Sequence, residues 1–159
     1  MKRSPSNHLA AEEANVGKPA AGQMAHTCIR VRDLDKSLAL YNALLGMPIV
    51  KDRREGPPER HFAALGSEQD YLEVFVAKPE DAAVGSSATG PVGIQHLSVW
   101  VEDMEGLVPR LADAGYPLIM SGAIRRSPSW VGSSLKVGWI EDPDGVKVEL
   151  LEYVGPAEG

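Results

Sequence analysis

The chain has 159 residues, 43% of them apolar, with 16 Lys and Arg against 22 Asp and Glu and a formal net charge of −6. That length suits one compact domain or two small repeated modules, and the acidity disfavours nucleic acid and anionic membranes, which both call for a concentrated positive field. The single cysteine, Cys28, excludes an intramolecular disulfide and fits a reducing, cytoplasmic compartment.

Residues 1–23 carry Ala, Gly, Pro, Ser and Asn but few large apolar side chains, so they are expected to be a disordered tail. They lack the apolar stretch of a secretory signal, and Glu12 and Glu13 argue against a transit peptide. No run of about 18 apolar residues occurs, so no membrane span is expected.

From residue 24 the chain repeats itself. HTCIRVRDLDKSLALYNALLGMPIV, starting at His26, lies over HLSVWVEDMEGLVPRLADAGYPLIM, starting at His96. Val31 falls on Val101, Asp33 on Asp103 and, after one residue of slip, Gly46 on Gly115. Each copy opens with an alternating strand: Thr27, Ile29 and Val31, then Leu97, Val99 and Val101. Asp33 and Asp103 are placed to cap helices whose apolar stripes are Leu34, Leu38, Tyr41, Leu45 and Leu107, Leu111, Ala114. Gly46 with Pro48, and Gly115 with Pro117, end them. HFAALG and DYLEVFV close the first copy as strands; LKVGWIED and VKVELLEY, joined by Asp-Pro-Asp-Gly, close the second. The prediction is an α+β fold of two βαβββ modules, 24–84 and 94–154, with a Gly/Ser-rich linker at 85–93 and a tail at 155–159. The modules are expected to form a curved, cup-shaped mixed sheet with helices outside.

Strand parity then places a site. Thr27, Ile29 and Val31 belong with Leu72, Val74 and Val76 under the helix, so His26 and Glu73 point to the other face; the same count sends His96 and Glu149 there in the second module. If the two sheets share one cup, His26, Glu73, His96 and Glu149 converge as a first coordination shell for a divalent ion with positions left for substrate. Cys28, Arg30, Ser98, Trp100, Tyr71 and Phe75 occupy the same faces and line the cup, all but Cys28 as candidate substrate-binding residues, and Glu73 is placed to act as a second catalytic base on the opposite face of a bound substrate. Arg30 is a candidate holder of a carboxylate, phosphate or polyhydroxyl group, and Trp100 and Phe75 either fill the cup floor or meet substrate. Trp130 and Trp139 are expected to pack, and His8 and His61 to be structural.

On HTCIRVRDLDKSLALYNALLGM and EDPDGVKVELLE the sequence resembles the vicinal oxygen chelate superfamily of glyoxalase I, bleomycin resistance protein and dioxygenases, most closely its glyoxalase I branch, over residues 25–153. The resemblance implies that His26, Glu73, His96 and Glu149 are ligands of one divalent ion per site, with Zn or Ni favoured. It also implies a substrate-contacting Arg30, Glu149 as general base, a homodimer, and a small oxygenated substrate. Glyoxalase I enzymes usually carry an Asn shortly after the first ligand glutamate; here the segment reads EVFVAKPED. The function expected is therefore a metal-dependent isomerase or epimerase of a small hydroxyketone or cyclitol, working through an enediolate. Lactoylglutathione lyase is the alternative, followed by an extradiol-type dioxygenase and a drug-binding resistance protein. The sequence does not distinguish ligation within one chain from ligation across a swapped dimer.

Overall fold

The computed structural model describes residues 24–67, 70–81, 94–120, 122–128 and 133–156. The expected tail at 1–23 with His8, the linker 85–93 and Trp130 lie outside them. The first module runs β1 (His26–Val31), α1 (Leu34–Leu38), a π-helical turn (Ala39–Leu44), β2 (Ile49–Arg53), a short 3-10 turn (Pro58–Arg60), β3 (Phe62–Gly66) and β4 (Tyr71–Val76). The second runs β5 (Leu97–Trp100), α2 (Met104–Asp113), β6 (Arg125–Pro128), β7 (Ser133–Glu141) and β8 (Lys147–Pro156). The closing strand continues past 154, where Gly155 and Pro156 pair with Ser134 and Ser133.

Each module makes its own four-stranded mixed sheet, ordered β1-β4-β3-β2 and β5-β8-β7-β6. The first strand runs parallel to the last, and the other neighbours are antiparallel. Asp33 accepts hydrogen bonds from the Asp35 and Lys36 amides, and Asp103 from the Gly106 amide, as the repeat requires. Gly46 (φ 75°) and Gly115 (φ 92°) end the helical segments in the left-handed region, where a side chain would be strained. The one-residue slip between the copies has a structural counterpart. The first helix carries the extra residue, and the turn Ala39–Leu44 widens to π geometry to absorb it.

A single apolar core joins the modules. Leu34, Leu40, Tyr41, Leu72 and Val74 of the first belong to one cluster with Met104, Leu107, Leu111, Val148 and Leu150 of the second. Ala114, expected in the second helix stripe, is exposed, and Met104 one turn before Leu107 takes its place. Two polar contacts fix how the modules dock. The buried Tyr41 hydroxyl donates to Asp142 Oδ2 at 2.9 Å, while Asp142 Oδ1 accepts the Asp144 and Val146 amides. Asp144 in turn accepts the Arg32 amide. The Asp-Pro-Asp-Gly turn of the second module thus docks on the first.

Candidate metal centre

Because Leu72 and Val74 on one sheet, and Val148 and Leu150 on the other, face the shared core, the opposite sheet faces point outward. On the first outer face, β1 and β4 bring His26 Nε2 to 3.7 Å from Glu73 Oε2. On the second, β5 and β8 bring His96 Nε2 to 3.6 Å from Glu149 Oε2. Both are gaps that one ion about 2.1 Å from each atom can span. The donor set of imidazole and carboxylate suits a divalent first-row metal. The residues therefore fit as two matching half-sites.

The sequence leaves open whether the four ligands meet within one chain or across a dimer. Among the described residues no group of three or more His, Cys, Asp and Glu is close enough to hold an ion. The reason is the common core: docking the helices together leaves the two ligand-bearing faces on separate sheets. An open cleft of about 230 Å³ does lie where the modules meet, lined by Thr27, Leu65 and Tyr71 on one side and Leu97, Ser98 and Trp100 on the other. It runs beside the His–Glu pairs, none of which lines it.

Aromatic neighbours set each imidazole. His26 stacks on Tyr71, with ring centroids 5.1 Å apart, and His96 meets the edge of Trp139 at 4.8 Å. Trp139, expected only to pack, thus belongs to the site face, since it pairs with Glu149 in the β7–β8 ladder. Trp100 is 63% exposed in the single chain. The half-sites differ in one support. Ser98 Oγ donates to Glu149 Oε2 at 2.7 Å, whereas Cys28, opposite Glu73 in register, directs its thiol to the Ile29 carbonyl at 3.8 Å. Burial, and then the charge of Glu73, push the Cys28 thiol up, so it is a poor nucleophile. Arg30 sits beside Phe75 and ion-pairs with Asp81 at 3.8 Å, both exposed. His61 is bonded to the Gly56 carbonyl, away from either pair.

The profile of the "Glyoxalase/Bleomycin resistance protein/Dioxygenase superfamily" matches residues 23–150. The chain is 29% identical over 130 residues to a probable lactoylglutathione lyase of Synechocystis, covering 81% of this chain and 94% of the relative. It is 28% identical over 138 residues to the lactoylglutathione lyase of Haemophilus influenzae, covering 86% and 97%. The crystal structure of a glyoxalase family protein from Enterococcus faecalis superposes with a TM-score of 0.60 at 23% identity, covering 83% of this chain and 98% of that one, a likeness of fold.

Proposed function

Since the chain belongs to the glyoxalase/bleomycin resistance protein/dioxygenase superfamily, we propose that it is a metal-dependent lyase of the glyoxalase I kind, converting the hemithioacetal of a 2-oxoaldehyde and a thiol into a 2-hydroxyacyl thioester. The observation that carries this reading is the pair of matching His–Glu half-sites, His26 with Glu73 and His96 with Glu149, in a chain whose relatives bear that activity in their names. This reverses the order expected from sequence, in which an epimerase came first.

A divalent ion, Zn or Ni by resemblance, would supply positive charge against the oxyanions that develop on neighbouring substrate oxygens. His26, His96 and both glutamates would hold it. Glu149, oriented by Ser98, takes the proton from the hydroxyl-bearing carbon and returns it to the adjacent carbonyl carbon, so the reaction consumes no oxidant or reductant. Glu73 closes the opposite side of the site.

Assembly requires a second copy. β1 and β5 are edge strands, and Met24 and Ile94, which precede the two histidines at equivalent repeat positions, are 69% and 75% exposed. Covering such a surface while joining a first half-site to a partner's second half-site yields a homodimer with two whole sites. The tests are metal content and thioester formation from methylglyoxal and glutathione. One divalent ion per chain and loss of turnover in Glu149→Gln are expected; a metal-free active protein would overturn the reading.

The epimerase keeps one specific observation in its favour, the aromatic Phe75 two residues beyond Glu73 in a segment without the usual Asn. Solvent deuterium entering a hydroxyketone without any thiol would select it. Oxygen uptake with a catechol would point to a dioxygenase, and drug binding without turnover to a resistance protein.

A further inference from the structure

The outer face of the first sheet carries more than the half-site. Reading across the four strands one step beyond Glu73, the register gives Arg30, Phe75, Phe62 and Arg53 in a row. Phe62 and Phe75 are half-buried and stack with centroids 4.9 Å apart at 19°. The ammonium of Lys51 lies over the Phe62 ring, 5.6 Å from its centroid. Lys51 owes that position to an irregularity in β2. Ile49 pairs with Leu65, a core-facing residue, so strict alternation would turn Lys51 to the core as well; the extra residue between them shifts the register and pairs Lys51 with Ala64, which shares the face of Glu73. Bulges of this kind re-aim side chains beside functional sites.

An apolar ridge with Arg30, Lys51 and Arg53 around it is an unusual concentration of positive charge in a chain of net charge −6. Arg30 has a partner in Asp81; among the described residues, Lys51 meets the ring face of Phe62. We propose that the Phe62–Phe75 ridge and Lys51 form a subsite for the unreactive end of the substrate, an aromatic or bulky apolar group bearing an anion such as a carboxylate. The ridge begins two residues along β4 from Glu73, about 6.6 Å in a strand. The group would lie along the phenyl rings with its anion at Lys51 while the reacting oxygens reach the glutamate. The inference rests on the reading of Glu73 as part of the reacting centre, but the subsite itself contains no metal ligand.

The experiment is therefore done on the full-length protein both as purified and after chelation of metal, with hydrocinnamate, propionate and hydrocinnamyl alcohol as probes and calorimetry or ligand-observed NMR as readout. Hydrocinnamate is expected to bind at least about tenfold more tightly than either fragment, in the chelated protein too, because ring and anion must be satisfied together. Lys51→Gln, an exposed substitution that should leave the melting temperature unchanged, is expected to weaken it about tenfold, and Phe62→Leu about fivefold. Equal binding of the three probes, no detectable hydrocinnamate binding, or a Lys51→Gln protein that binds like the parent would overturn the subsite. A lack of metal-dependent turnover alongside intact hydrocinnamate binding would instead count against the proposed function alone.

Discussion

If each site takes one half from either chain, two inactive variants should rescue one another. His26→Ala destroys the first half-site and leaves His96 with Glu149 intact; His96→Ala does the reverse. In a mixed dimer one site receives both damaged halves and the other receives two undamaged halves. Random pairing makes about half the dimers mixed, each with one whole site of two, so co-expression should restore about a quarter of wild-type turnover. Differently tagged chains allow the mixed dimer to be purified, and it should bind one divalent ion where the wild-type dimer binds two. Thioester formation and metal analysis read the two quantities separately. A mixture no more active than either variant alone, with no recovered metal, would refute the reasoning, because ligands confined to one chain cannot be complemented.

Ser98→Ala removes the 2.7 Å support of Glu149 and should weaken metal binding about tenfold by chelator competition, whereas Cys28→Ala, whose thiol does not bond Glu73, should change it less than about threefold. Tyr41→Phe takes a buried donor from Asp142 and should cost about 1–3 kcal/mol in urea denaturation, with secondary structure unchanged. Burial holds the Asp142 carboxyl above the usual carboxylate range despite the hydrogen bonds it accepts. A raised folded value means that the native state keeps its proton longer than the unfolded chain does. The contribution to stability is thus present below the ordinary Asp value of about 3.9 and lost as pH rises through the raised one; Asp142→Asn should flatten that part of the stability profile, measured by thermal melts.

What could be read from the sequence follows from the range of the interactions involved. Parity along single strands suffices to pair His26 with the face of Glu73, and the repeat carries the same deduction to His96 and Glu149. Helix caps at Asp33 and Asp103 and stops at Gly46 and Gly115 are local chemistry and equally legible. The relative placement of the modules is not, because it depends on Tyr41 meeting Asp142 and Arg32 meeting Asp144, partners with no signature in either module alone. Trp139 joined the site through its ladder pairing with Glu149, a register that the sequence leaves open. Strand parity hides Lys51 and Phe62 for a related reason. Strict alternation puts Ile49, Lys51 and Arg53 on one face, an apolar residue with two cations, and that conflict was the only trace of the bulge.

The bonds that dock the modules also bear on how the protein forms and how long it lasts. Tyr41 and Asp142 are 101 positions apart, and Arg32 and Asp144 are 112 apart. Closing loops of that length before either sheet exists carries a chain-entropy cost that nothing yet offsets, so each module should collapse around its own strands first and the docking contacts should come late. Contacts absent from the transition state govern escape from the native state more than arrival in it. The Tyr41 hydroxyl is then a kinetic fastener: its removal should hasten unfolding while leaving the refolding rate nearly untouched, and the lifetime of the half-site geometry is set on the side of the sheets opposite to the half-sites themselves.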